Sequence, residues 1–291
     1  MDSEGRTHVT GERAREALVR FALLAGEHAT DFVVIGGLNP DFLAPGAPLP
    51  HLGTTDVDLL FELGFVYDRE DLDFHWLDRA LRDGRFEPIG GVAGWQWMGV
   101  LGDAHVRLDL LCDVYDSPGQ PISLPGAEMA TVQNLAGPAP ALHQPITREI
   151  DVPATVRGEL PGAAPTVSLK FASLGGYIAA KAAAFLSRGQ GKDAYDLAFV
   201  IMYCPGEAQA AAEAVADTEV PPHRGSIEVV ITSAVERLRD VELPWIDEVV
   251  RQLQLAGDDS SDDQLRTDVV VSARRFLDSY SALMSTGRRR Q

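Results

Sequence analysis

The stretch HLGTTDVDLLFEL, residues 51–63, decides how the chain is read. Asp56 and Asp58 stand one residue apart inside a run that is otherwise apolar. The aliphatic and β-branched character of DVDLLFEL predicts a buried strand. In a strand, residues i and i+2 share a face. Asp56 and Asp58 therefore project together, while Val57 and Leu59 point the other way. A buried carboxylate without a partner is costly, so the pair calls for a cation or for hydrogen-bond donors.

Working outward from this strand gives the fold class. Upstream, DFVVIGGL (31–38) predicts a second buried strand that ends at Gly36-Gly37, a place for a backbone turn. Residues 11–29 carry helical periodicity, and the proline-rich 39–50 predicts a loop with at most one helical turn. Downstream, 68–86 predicts an amphipathic helix. WQWMGVL (95–101) and HVRLDLLCDV (105–114) predict neighbouring strands joined by the turn GDA. The Pro-, Gly- and Ala-rich segment 116–166 predicts short strands and loops. From Leu169 the character changes. LKFASLGGYIAAKAAAFLSR (169–188) predicts a helix pair or one interrupted helix. The turn GQG follows, then the helix KDAYDLAFVIMYC (192–204), and 206–284 reads as mainly helical. GDDSSDDQ (257–264) predicts a solvated acidic turn, and GRRRQ (287–291) a frayed end rather than a nucleic-acid contact. The expectation is an α+β protein: a core domain over 1–165, with a mixed sheet and flanking helices, and a mainly helical C-terminal lobe over 166–291.

Composition bounds the function. The chain has 291 residues, 45% of them hydrophobic, and a net charge of −18. A surface that binds nucleic acid throughout is excluded, because phosphate binding needs clustered Lys and Arg. A local basic patch on an acidic body remains open. The two cysteines, Cys112 and Cys204, lie far apart in apolar runs without a CxxC, which predicts buried thiols rather than a zinc site. The polar start MDSEGRTHVTGERARE contains no apolar leader, and the apolar run 197–204 is too short to span a bilayer, so a cytoplasmic protein without membrane association is expected. Of 25 Lys and Arg, only Lys170, Lys181 and Lys192 are lysine. Where arginine replaces lysine almost everywhere, a surviving lysine suggests a site that requires a compact ammonium.

Asp109, in VRLDLL, is a third strand-borne acid flanked by apolar residues. Three carboxylates converging from strands suit Mg²⁺, a hard cation commonly shared with phosphate oxygens, and could support in-line phosphoryl or nucleotidyl transfer. Paired glycines at a strand end let a phosphate approach bare backbone amides.

The pattern GG…T-x-D-V-D-L with a later strand acid resembles the polymerase-beta-type nucleotidyltransferase superfamily. K-A-A-A-F-L-S-R (181–188) followed by K-D-A-Y-D-L (192–197) resembles the AbiEii-type nucleotidyltransferases, toxins of bacterial toxin–antitoxin and phage-defence systems. The likeness runs from about residue 15 to 205. It implies a polymerase-beta-like core with Mg²⁺ on Asp56, Asp58 and Asp109, Asp109 also serving as base. It implies an NTP held by Gly36, Gly37, Thr55, Lys181 and Arg188, with Asp193 and Asp196 closing the site. It further implies an RNA acceptor such as the 3′ end of tRNA, and a cognate antitoxin. The family's helix after the glycines and the arginine before the DxD are missing here; His51 and Leu52 occupy that region. Two other readings stay open: transfer to a small molecule such as an aminoglycoside, and a non-catalytic module that binds a nucleotide or a partner.

The residues also admit plainer roles. Asp56 and Asp58 could be solvated at a strand end or bonded to an arginine such as Arg107, and Asp109 could form a structural ion pair with a nearby arginine. Lys181 could snorkel from an amphipathic helix. Asp193 could cap its helix, and Asp196 could lie on the surface. Tyr195 and Phe199 read as core. The seven histidines show no ligand spacing and none is assigned to metal.

Overall fold

A computed structural model describes residues 6–64, 69–102 and 104–288. The frayed end expected at 287–291 lies largely outside the described residues. The strands are β1 (Phe32–Ile35), β2 (Asp56–Phe61), β3 (Phe86–Pro88), β4 (Gln96–Leu101), β5 (Ala104–Cys112), β6 (Pro121–Ser123), β7 (Thr131–Asn134), β8 (Ile146–Asp151) and β9 (Thr166–Phe171). The helices are α1 (His8–Ala25), α2 (Pro40–Leu43), α3 (His75–Asp83), α4 (Ala154–Glu159), α5 (Leu174–Arg188), α6 (Gly191–Tyr203), α7 (Glu207–Ala216), α8 (Glu228–Glu236), α9 (Pro244–Leu255) and α10 (Asp262–Arg288).

The protein is α+β. One mixed sheet runs in the order β3-β4-β5-β2-β1-β9-β8, and β7 extends it from the end of β5 and pairs with β6. β2 lies antiparallel to β1 and parallel to β5. The sheet separates two apolar cores. Phe32, Val34, Val57, Leu59, Leu108 and Leu110 pack beneath it with α1 and α3. Val33, Ile35, Leu60 and Leu111 face upward onto the helices that follow β9. The alternation along β2 is the predicted one, with Val57 and Leu59 opposite the two aspartates.

Two sequence expectations are corrected. The helix expected over 68–86 is confined to His75–Asp83. Arg69–Asp71 forms a separate 3-10 turn, in which Arg69 is ion-paired with Asp116. Phe86 begins an edge strand that pairs with Gly99. The start of this segment lies outside the described residues. The second correction concerns 169–188: Thr166–Phe171 is a strand, and the helix begins only at Leu174. Val167, Leu169 and Phe171 are buried at a period of two, and the strand pairs with both β1 and β8. The sheet therefore continues past residue 165. Ser173 then caps α5 by accepting from the Gly176 amide, and Gly189, in the left-handed region, ends it.

A buried carboxylate fixes the far end of β5. Asp113 accepts hydrogen bonds from the amides of Gly137 and Ala139 at 2.9 and 2.8 Å and is ion-paired with Arg224. It clamps the loop before the 3-10 turn at 139–142 and the segment 222–224 onto the sheet. Replacing it leaves two amides and a guanidinium short of an acceptor. Asp113→Ala should lower the unfolding free energy by about 2 kcal/mol or more, and Asp113→Asn, which keeps one acceptor, by less. Urea denaturation of both variants checks this.

Candidate active site

The DxD strand and its neighbour bring the acids together. In the parallel β2–β5 pair, Asp56 is opposite Arg107 and Asp58 is opposite Asp109. All four side chains stand on the face turned toward the helical lobe. The glycines make room for them. Gly36 has φ +79°, and a Cβ there would overlap the Asp58 carboxylate. A Cβ on Gly37 would lie 2.6 Å from the Thr54 Cβ. The two glycines are required first by the packing of β2, before any ligand is considered.

Each carboxylate has a different environment. Asp56 accepts from Arg107 Nη2 at 2.6 Å and from the Thr54 hydroxyl, with Lys192 Nζ at 3.7 Å. Burial pushes the Asp56 carboxyl up, but Lys192, Thr54 and Arg107 together hold it below its ordinary value. Asp109 lies 2.9 Å from Arg107 Nε and accepts from Gln96 at 3.3 Å. Burial raises Asp109 to about 6, and Arg107 offsets only part of that rise. Asp58 has no hydrogen-bond donor among the described residues. Burial and the charges of Asp56 and Asp109 push it up to about 7.

The lobe supplies the other wall. Tyr177, Lys181, Ala184 and Arg188 fall along one face of α5 at i, i+4, i+7 and i+11 and line the cleft. Lys181 is buried, with its ammonium 2.6 Å from Asp196 and 3.5 Å from Asp193. Burial disfavours the Lys181 charge, but Asp196 and Asp193 more than offset this and raise it above its ordinary value. Asp193 does not cap α6: Gln190 stands at the cap, and Asp193 instead accepts from Arg188 at 2.7 and 3.2 Å. Nor is Asp196 on the surface. It is 1% exposed and accepts from Arg6 at 2.8 Å, from Lys181 and from His51 Nε2 at 3.0 Å. Burial would raise the Asp196 carboxyl, yet these three partners hold it well below the usual carboxylate range. Burial lowers His51 below its ordinary value despite Asp196, and its Nδ1 faces the Gly53 amide at 3.3 Å. That pattern fits a neutral ring donating from Nε2. Tyr195 and Phe199 are core: Tyr195 stacks on His51, Phe199 meets His51 edge-on, and the two are tilted against each other.

These side chains enclose a polar cavity of about 330 Å³. Asp56, Asp58, Asp109, Lys181, Arg188, Gly37 and Thr55 all line it. Gly36 lines an adjoining cavity, and Asp193 lies behind the wall as the partner of Arg188 and Lys181. Sequence reasoning missed Arg6, Thr54 and Lys192's contact with Asp56, and treated Arg107 only as a possible partner. The scarcity of lysine did point to Lys181 and Lys192, and both line the cavity; Lys170 does not, its ammonium donating to the Thr30 carbonyl instead. Arg6 carries no pattern that could have found it.

The cavity is lined by five cationic side chains and four carboxylates, in a chain of net charge −18. Among the described residues no group of three His, Cys, Asp or Glu side chains forms a ready metal cage. The arrangement shows why, since the Arg107 guanidinium stands between Asp56 and Asp109. The donor set nonetheless suits a hard divalent cation. Asp58 is an oxygen donor without a protein partner, crowded by two like charges that a cation would relieve. Comparison of the chain with protein-family models, with curated proteins and with solved structures returns no match in any of the three. No helix among the described residues is long and apolar enough to cross a membrane.

The crowding at Asp58 has a measurable sign. A carboxyl raised above its unfolded value destabilises the fold where the unfolded chain ionises it and the fold resists. For Asp58 the penalty is absent below about pH 4, grows as pH rises to about 7, and is constant above that. Asp58→Asn should therefore melt higher than the wild type near pH 8, by roughly 2–4 °C per kcal/mol relieved, and show no gain near pH 4. Differential scanning calorimetry at the two pH values tests this; a lower melting temperature near pH 8 would contradict the crowding.

Proposed function

We propose that the polar cavity binds a nucleoside triphosphate with Mg²⁺, and that the protein is a nucleotidyltransferase that moves an NMP onto an acceptor hydroxyl. The observation that carries this reading is the mixed charge of the cavity. Five cations and four carboxylates on one small surface suit a ligand that presents both signs, a polyphosphate with its metal ion. Asp56, Asp58 and Asp109 would hold the divalent cation, which when bound shields the phosphates and offsets charge developing on the leaving oxygen.

The chain's own residues supply the positioning. Arg188 and Lys192 lie at the cavity wall with part of each side chain accessible, and they meet the phosphate oxygens. Lys181 fixes the charge of the wall from beneath, its position set by Asp196 and Asp193. Gly37 and Thr55 form the floor beside Asp56. The acceptor oxygen forms a bond to the α-phosphorus, the bond to the β-phosphate oxygen breaks, and pyrophosphate leaves. The hydroxyl proton passes to Asp109. Acceleration comes mainly from positioning and charge neutralisation. In this reading the sheet and the lobe form the polymerase-beta-like core and the helical half that completes its site.

The acceptor we infer is RNA, the 3′ end of a tRNA. The modification would arrest growth, making the protein an AbiEii-type toxin of the cytoplasm with a cognate antitoxin as partner. The likeness around Lys181, Arg188 and Lys192–Leu197 supports this part. A second reading, transfer to a small cationic molecule such as an aminoglycoside, is favoured by the net charge of −18. A non-catalytic module is disfavoured, because all three strand acids are present and face the cavity.

Purified protein incubated with Mg²⁺, each of four α-³²P NTPs and total tRNA should label the tRNA. Asp58→Ala and Lys181→Ala should lower that labelling by roughly 10²-fold or more. If NTP is bound but no tRNA is labelled with any of the four, the tRNA acceptor is wrong; labelling of an aminoglycoside under the same conditions would then establish the second reading.

A further inference from the structure

The polar cavity has a neighbour of opposite character. A compartment of about 170 Å³ opens beside it and shares Asp58, Lys181 and Arg188 with it. Its remaining wall is largely apolar, with Ile35 from β1, Leu111 from β5, Leu135 and Pro138 from the following loop, and Ala180 and Ala184 from α5. Tyr177 also lines it, and the Tyr177 hydroxyl is buried with no hydrogen-bond partner among the described residues. A buried hydroxyl left unpaired is unfavourable by roughly 1–3 kcal/mol. An apolar compartment that carries one unpaired polar group, at the edge of a charged cavity, has the makings of a ligand subsite.

We infer that this compartment receives the nucleobase ring of the bound NTP while the polyphosphate lies in the polar cavity, a reading that rests on the nucleotide-binding proposal above. Its size admits one ring system and no more. An apolar cavity of roughly 150 Å³ holds a benzene ring, whereas pockets for drug-sized ligands run from about 300 Å³ upward. Away from the edge it shares with the polar cavity, its wall offers Ile, Leu and Ala side chains, on which a phosphate would lose hydration without replacement, so the polyphosphate is favoured at the shared edge and not inside. A planar, uncharged ring with a polar edge is favoured: the faces meet the aliphatic wall and the edge can pair with the Tyr177 hydroxyl. The three shared residues place the compartment next to the groups proposed to hold the phosphates, so one ligand can reach both.

Isothermal titration with Mg²⁺ present compares inorganic tripolyphosphate with each of the four NTPs, on the wild type and on Ala184→Phe. Ala184 is on the compartment wall and does not line the polar cavity. At least one NTP should bind the wild type about tenfold more tightly than tripolyphosphate. Ala184→Phe should remove that advantage and leave tripolyphosphate affinity within about threefold of the wild-type value. The tripolyphosphate titration also reports whether the variant is folded, and the wild-type comparison stands if it is not. NTPs that bind the wild type no better than tripolyphosphate would overturn the base subsite and leave the polyphosphate reading intact. An advantage that survives Ala184→Phe would also overturn it. No binding of any of the five ligands would overturn the nucleotide reading, and this inference with it.

Discussion

Asp196 is the buried charge around which the site is assembled. A carboxylate at 1% exposure persists only if its partners replace the water it has lost. Here they do, and each comes from a different part of the chain: Arg6 ahead of α1, His51 in the loop before β2, and Lys181 on α5. Arg6 also donates to the Gly53 carbonyl and to Gln252 on α9. One residue on α6 thus joins the loop ahead of the strand that bears Asp56 and Asp58 to the helix that bears Lys181 and Arg188. The spacing of the two walls of the cleft depends on this junction.

The cleft divides its chemistry along the same helix. Lys181 and Arg188 serve both cavities, while Ala184, between them on the same face, belongs to the apolar one alone. The sheet repeats the division. On β2 and β5 the residues facing the lobe change from Asp56, Arg107, Asp58 and Asp109 to Leu60 and Leu111 within a few positions. Charge and hydrocarbon are thus side by side on the same strands and on the same helix.

Much of this was legible in the sequence, and the reasons are physical. Period-two alternation put Asp56 and Asp58 on one face and marked Asp109 as a strand acid. The scarcity of lysine singled out Lys170, Lys181 and Lys192, of which the last two line the cavity. What sequence could not give was register: nothing in VRLDLL says that Asp109 sits opposite Asp58, because that follows from how parallel strands align in the finished sheet. Strand β9 was hidden because LKFA suits a helix start as well as a strand end, and its buried alternation has meaning only once β1 and β8 flank it. Arg107 looked like a plain ion-pair candidate, and it is one, to two acids at once. Asp193 stood where a helix cap is expected, but the helix starts earlier, with Gln190 at the cap, so Asp193 lies in the first turn and its carboxylate meets Arg188. Arg6 lay in a polar segment with no periodic signal, so its burial depends wholly on distant partners.

That last contact bears on the order in which the molecule comes into being. Arg6 pairs with Gln252 across 246 residues of chain and with Asp196 across 190. During synthesis Arg6 is made well before Asp196 and Gln252, and its contacts must wait for both. Contacts of such long range close slowly, since the loop entropy must be lost before the contact returns anything. The sheet strands β1 to β5 can pair early, with their carboxylates facing water. The cations of α5 and α6 arrive later, and the junction at Asp196 later still. The closure of the cleft at Asp196 thus rests on contacts of long sequence range.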